Sequence, residues 1–309
     1  MNILIALGGN AILQENEKGT FEEQQANIIK TARHILKIIK KGHNVVITHG
    51  NGPQVGDILL RYELAKAQLP TMPLHVCGGE SQGMTGYMIE QAMTNELAGA
   101  SIRKDVACVL TRTVVSADDP HFKNPSKPIG PFYEKREADK LAKEFKWKLV
   151  MEDGKYRRVV PSPTPLEIVE LDTIRHLVSE GKVVICTGGG GVPVIKKGHS
   201  LEGVDAVIDK DLASSLLASK LKVDMFMILT DVDHVFLNYK KKVQKKLSHA
   251  TVRQFEEYLA EGQFENGTMK PKVQAAVNFV KSAGNKAVIT ALSEVDKALN
   301  GGAGTVILP

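Results

Sequence analysis

The chain has 309 residues, 43% of them hydrophobic and 24% charged, a balance that excludes a largely disordered protein and allows one large α/β domain or two lobes. Its formal net charge of +5 is modest, and the densest basic run, Lys240 to Lys246, has no aromatic residue among its lysines, so no nucleic-acid partner is expected. Cys77, Cys108 and Cys186 lie far apart with no CxxC pair, which argues against zinc or dithiol chemistry and for a reducing compartment.

Met1 leads directly into an apolar strand without a basic segment ahead of a long apolar run, so no secretory leader is expected. No stretch of about 18 apolar residues offers a membrane span, and cytoplasmic placement is the expectation.

In chain order, the opening "ILIALGGNAI" runs an apolar strand into Gly8, Gly9 and Asn10. Ile28, Ile29, Ala32, Ile35, Leu36 and Ile39 then recur at helical spacing, and Gly42 stops that helix before the strand "NVVITHG". This is one βαβ unit. A second glycine loop follows at Gly50-Asn51-Gly52-Pro53. Next come helix "GYMIEQAMTNELAG", strand "VACVLTRTVV", helix "LEIVELDTIRHLVSEG" and strand "VVICT", which ends in the cluster Gly188 to Gly191. Helix "DLASSLLASKL", strand "MFMILT", helix "KVQAAVNFVKSAG" and strands "AVIT" and "TVILP" complete the chain. Such alternation predicts a mainly parallel sheet covered on both faces.

Residues 117–165 break the pattern with Pro120, Pro125, Pro128, Pro131, Pro161, Pro163 and Pro165, a short helix near "EADKLAKEF", and a hairpin signal at Asp153-Gly154 between "WKLVME" and "KYRRVV". They are expected to form a small insertion that projects from the main sheet.

Ligands of open α/β sheets bind outside the carboxyl ends of the strands, where glycine lets backbone N–H groups approach an anion. One glycine loop alone makes a tight turn; three after three strands imply an anion crevice. The chain contains neither GxxxxGK[ST] nor GxGxxG, and "GNGPQVG" is GxGxxxG. Lysines near such loops are candidates for phosphoryl transfer, which needs positive charge around the migrating group. Lys210 opens a helix between Asp209 and Asp211, and Asp211 fits as a helix cap or as the holder of a metal or a lysine. Lys272, behind Pro271, opposes its helix dipole unless an anion is bound. Lys127 lies between prolines in "NPSKPIGPFY". Asp231 and Asp233, just past a strand, fit an Asx-turn, a Mg²⁺ contact or a lysine partner. His49, His199 and His234 form no pair with metal-ligand spacing.

Together "ALGGNAI", "THGNGPQVG", "NPSKPIGPFY", "VVPSPTPLEIVE", "GGGGVPV", "VDAVIDKDLAS", "LTDVDHVF" and the lysine-proline-lysine after Met269 resemble the carbamate kinases of the amino acid kinase family, in matching order from end to end. The resemblance implies a three-layer αβα sandwich with a mainly parallel central sheet and a small projecting subdomain, built as a single domain over 1–309 and paired as a homodimer. It implies the reaction ATP + NH₃ + CO₂ ⇌ ADP + carbamoyl phosphate, with Mg²⁺ accompanying ATP or ADP and no resident metal site. The N-terminal half would hold carbamate and phosphoryl, and residues 183–309 the nucleotide.

Carried over by residue, Gly8, Gly9, Asn10, Gly50, Asn51 and Gly52 would contact the phosphoryl group and substrate. Gly189, Gly190, Lys210, Asp231, Val232 and Lys272 would contact the nucleotide. Lys127, Lys210 and Lys272 would neutralise the transferring group, with Asp211 organising the two lysines nearest it. The wider family often carries a lysine before its first glycines; Ala6 and Leu7 stand there instead, and Lys127 would supply that charge from the insertion. Lys270 replaces a usual glycine, and the segment after "HVFLNY" lacks a usual proline. The neighbouring expectations are another small-acid kinase of the same fold, or a non-catalytic sensor of nucleotide or carbamoyl phosphate. A degenerate sensor would be expected to have lost one of Lys127, Lys210, Asp211 or Lys272.

Overall fold

The structure, a computed structural model, describes residues 1–14, 17–152, 154–265 and 268–309. Its centre is an eight-stranded sheet in the spatial order His249–Thr251, Thr305–Leu308, Ala287–Ala291, Met225–Thr230, Asn2–Leu7, Asn44–His49, Val183–Cys186 and Val106–Val109. Every neighbouring pair is parallel except Ala287–Ala291 with Thr305–Leu308. The opening strand is buried on both sides, which is why it reads as an unbroken apolar run. Its residues alternate between two cores: Leu4 and Ala6 join one, Ile3, Ile5 and Leu7 the other.

The first core is closed by helices Leu171–Ser179, Lys210–Leu221 and Met269–Ala283, the second by Phe21–Lys40 and Leu74–Gly99. Helices therefore cover both faces, in the three layers expected. Phe21–Lys40 starts at a reciprocal cap, in which the Thr20 side chain accepts the Glu23 N–H and the Glu23 carboxylate accepts the Thr20 N–H.

Several elements differ from the sequence expectation. The third long helix begins at Leu74, not near Gly86, because burial of Leu74, Cys77, Ser81, Gln82 and Thr85 overrides the low helix propensity of Gly78, Gly79 and Gly83. "VACVLTRTVV" splits in two. Gln82 clamps both backbone groups of Thr111 at 3.0 Å, and the chain leaves the large sheet there. Arg112–Val114 instead joins a four-stranded sheet with Val192–Lys197, Ser200–Gly203 and Glu167–Ile168. That pairing also shortens the predicted helix over 166–181 to Leu171–Ser179. Helices Gly52–Ala65 and Val252–Ala260, and the hairpin of Val235–Leu237 with Lys245–Leu247, were not anticipated.

Within 117–165, strands Lys127–Tyr133, Leu149–Glu152 and Lys155–Val160 make a separate antiparallel sheet, backed by helix Lys135–Phe145. Glu152 pairs with Lys155 across the expected turn, whose Asp153 lies outside the described residues. Tyr133, Ala138, Leu141 and Trp147 give this unit its own small core. Lys127 opens a strand opposite Val160.

Candidate active site

Leu7 pairs with His49 at the ends of adjacent parallel strands, so the first two glycine loops emerge side by side at the carboxyl edge of the sheet. The first makes a single 3₁₀ turn over Gly9–Ala11, leaving Gly9 and Asn10 exposed, while Gly8 lies against the Leu229 carbonyl of the neighbouring strand. In the second, Gly50 faces the stem of Lys210: a Cβ there would lie 3.5 Å from the lysine Cδ. Asn51 is buried and donates to Ser81 Oγ at 2.6 Å. Gly52 begins helix Gly52–Ala65, and the nearest groups to it are the Pro128 carbonyl and the Arg157 guanidinium, both from the insertion.

The third cluster follows the adjacent parallel strand Val183–Cys186 at the same edge. Gly188 to Gly191 are buried, with φ of +61° at Gly189 and +88° at Gly190. A Cβ on Gly189 would sit 2.1 Å from Asn51 Nδ2, and one on Gly190 2.6 Å from the Ile208 carbonyl. Their bare backbone lets this loop pack behind the second loop.

The charged residues converge. Lys210 Nζ lies 2.5 Å from Asp211 Oδ1, Lys272 Nζ 3.3 Å from Asp211 Oδ2, and Lys127 Nζ 2.6 Å from Asp209 Oδ2. The three lysines come from three separate segments: the insertion, the start of Lys210–Leu221 and the start of Met269–Ala283. The cap of Lys210–Leu221 is Asp209, whose Oδ1 accepts the N–H groups of Asp211 and Leu212, so Asp211 is free to bind lysines instead. Asp209 is the site residue that sequence reasoning passed over, although the Asp-Lys-Asp pattern displayed it.

Burial works to raise the Asp211 carboxyl, but Lys210 and Lys272 outweigh it and hold the group far below the usual carboxylate range. Asp209 is likewise lowered, burial being outweighed chiefly by Lys127. Burial lowers the Lys210 ammonium despite Asp211. At Lys272 the same burial is outweighed by Asp211 and Asp209, which leave that ammonium raised. Three ammonium groups against two carboxylates leave a positive surplus at the carboxyl edge of the sheet. His49, buried beside this cluster with Nδ1 2.9 Å from the Gly50 oxygen, is lowered to about 4 by its burial.

Asp231 and Val232 line a cleft of about 730 Å³ with Phe236 and Tyr239. A neighbouring cleft of about 500 Å³ runs past Gly8 and Asn10, and Asp231 borders both. Asp233 is taken by Lys246 at 3.2 Å. Lys270 is exposed and its N–H donates to the Glu265 carbonyl. Among the described residues, no three histidine, cysteine, aspartate or glutamate side chains gather as a metal site. No described helix is long and apolar enough to cross a membrane.

This geometry has close counterparts. The family model of the amino acid kinase family matches residues 1–291. The chain is 48% identical to a carbamate kinase of Trichomonas vaginalis over the full length of both. Its fold superposes on a carbamate kinase from Giardia lamblia bound to AMP-PNP with a TM-score of 0.92 at 46% identity, covering 99% of this chain and 98% of that one. It also matches the Giardia lamblia enzyme thiocarbamoylated by disulfiram on a cysteine, with a TM-score of 0.89 at 44% identity and the same coverage. The chain belongs to the amino acid kinase family, within its carbamate kinase branch.

Proposed function

We propose that this protein transfers a phosphoryl group reversibly between ATP and carbamate, forming or consuming carbamoyl phosphate. The observation that carries the reading is the convergence of Lys127, Lys210 and Lys272 on the buried carboxylates of Asp209 and Asp211, beside two glycine loops. Phosphoryl transfer asks a protein for positioning and for positive charge around the equatorial oxygens, and this cluster has both. A single domain over 1–309 would divide the task. Gly8, Gly9, Asn10, Gly50, Asn51 and Gly52 of the N-terminal half receive carbamate and the phosphoryl group, and residues 183–309 receive the nucleotide.

Lys210 and Lys272 neutralise the migrating group and the nucleotide phosphates, held apart by opposite oxygens of Asp211. Lys127 joins them through Asp209 from the insertion at 117–165, which would project over the site. Asp231 and Val232 border the cleft that takes the rest of the nucleotide. Both buried aspartates are already engaged by lysines, so Mg²⁺ fits here as a partner of the nucleotide phosphates, where it would offset their charge. A homodimer and cytoplasmic placement belong to the same proposal. Supporting the former, Val106–Val109 is an edge strand of the large sheet, and Leu110 just beyond it is exposed.

The test is ATP formation from carbamoyl phosphate and ADP with Mg²⁺, with Lys210→Ala as the blank. Production that vanishes in the variant supports the reading. Silence from a folded wild type that still binds ADP directs the search to another small acid first and to a sensor second.

A further inference from the structure

Asp209 holds two segments at once. Its Oδ1 accepts the N–H groups of Asp211 at 2.9 Å and Leu212 at 3.2 Å, which caps helix Lys210–Leu221. Its Oδ2 accepts Lys127 Nζ at 2.6 Å, from a strand of a different sheet. The two duties have different chemical requirements. A cap needs one acceptor oxygen and no charge, and asparagine or serine serves as well as aspartate. Drawing in an ammonium calls for the second oxygen and the negative charge, through a charge-assisted hydrogen bond.

Lysine ends in a point charge on a flexible four-carbon stem, so it has little orientation of its own. The Lys127 side chain is 27% exposed and that of Asp209 only 11%, so the lysine is anchored at its tip by a group fixed in the protein interior. An ammonium has three donors. One goes to Asp209, and two remain for oxygens of an incoming anion.

We infer that Asp209 is a positioning residue for phosphoryl transfer: through Oδ2 it holds Lys127, and with it the first residues of the insertion strand, beside the group formed by Asp211, Lys210 and Lys272. The inference rests on the phosphoryl-transfer reading for its catalytic consequence, but the anchoring itself is independent of any reaction. The low carboxyl of Asp209 agrees with a group that stays ionised while buried.

The experiment is a double-mutant cycle on Asp209→Asn, Lys127→Ala and the pair, with Asp209→Ser as a second variant that keeps the cap but is too short to reach the lysine. Two readouts are taken: ATP formation from carbamoyl phosphate and ADP, and hydrogen exchange along Lys127–Tyr133. If Asp209 acts through Lys127, Asp209→Asn lowers kcat on the order of tenfold or more, and the double variant is no slower than Lys127→Ala alone. Multiplication of the two losses would assign Asp209 a purely structural or separate role and overturn the inference. In the exchange cycle, Asp209→Asn and Lys127→Ala should each deprotect the start of the strand, and the double variant no further. Unchanged exchange in both Asp209 variants overturns the anchoring. A wild type that makes no ATP would defeat the functional reading, and the exchange cycle would then decide the Asp209 contact alone.

Discussion

Gly56 and Gly130 meet with no room for a side chain between them: a Cβ on Gly56 would lie 2.0 Å from the Gly130 Cα and 2.1 Å from its nitrogen. The first residue belongs to helix Gly52–Ala65, the second to the strand that begins at Lys127. Their contact seats the insertion, and within the insertion Arg157 holds this strand by donating Nε to the Gly130 carbonyl at 2.9 Å. Backbone cannot yield as a flexible side chain would, so Gly56→Ala must push the strand away. The expected cost is about 1–3 kcal/mol in urea unfolding, the range for overpacking. A fall in ATP formation should accompany it, because Lys127 lies only three residues from the contact. Wild-type stability and turnover together would show that the seat lies elsewhere.

Lys210 is the most enclosed of the three lysines, its side chain 12% exposed. Its stem also packs against Gly50, so it touches the second glycine loop and Asp211 at once. Lys210→Ala is expected to lower kcat by roughly 10²–10³, the range for losing one preorganised donor to a developing charge. Circular dichroism should show the fold intact. The helix keeps its Asp209 cap, and alanine favours the helix. Turnover within a few-fold of wild type would remove Lys210 from the chemistry.

The layers of the fold were legible because their signals are local. Ile28 to Ile39 repeat at helical spacing, and the strands buried on both faces read as apolar runs. Where tertiary contacts decide, the sequence was silent. Nothing near Thr111 announces that Gln82, far away in the chain, will clamp its backbone and divide one predicted strand between two sheets. Glycine was the least readable residue. Gly189 and Gly190 carry the same letters as a phosphate loop, and packing alone already requires them to be bare, because Asn51 and Ile208 fill the space beside them. Asp211 reads as a possible cap and Asp209 only as its neighbour, yet the structure gives the cap to Asp209 and two lysines to Asp211, a division that the Asp-Lys-Asp pattern does not encode.

Cys77 and Cys186 are buried and Cys108 partly so, whereas the Giardia lamblia relative was captured thiocarbamoylated by disulfiram. Burial pushes the Cys77 thiol up to about 11, Cys108 to about 11 and Cys186 to about 12. The thiolate is the reactive form, so at neutral pH only about one thiol in 10⁴ or fewer is available at each position. Disulfiram is therefore expected to leave turnover of this protein unchanged under conditions that modify an exposed cysteine. A chromogenic disulfide should titrate the thiols slowly when native and promptly in denaturant. Fast native labelling with loss of activity would contradict the burial.

His49 gives the fold a dependence on acid. Its imidazole is lowered from 6.5 to about 4 by burial, so the folded protein keeps it neutral over a range in which the unfolded chain protonates it. The unfolded state thus binds more protons between these values, and stability must rise with pH across the window and be lost as pH falls through it. The slope from this one group approaches about 1.4 kcal/mol per pH unit in the middle of the window. Urea unfolding of wild type at pH 6.5 and 5 should show that loss, and His49→Gln, which cannot titrate, should show a shallower one. Other groups titrate alike in both proteins and cancel in the difference. Space is tight, since a Cβ on Gly188 would fall 2.5 Å from His49 Nε2, so the comparison is of slopes rather than of absolute stabilities. Parallel slopes would mean that the imidazole reaches water or a carboxylate in the folded state, which the packing of Gly188 and Gln82 around it argues against.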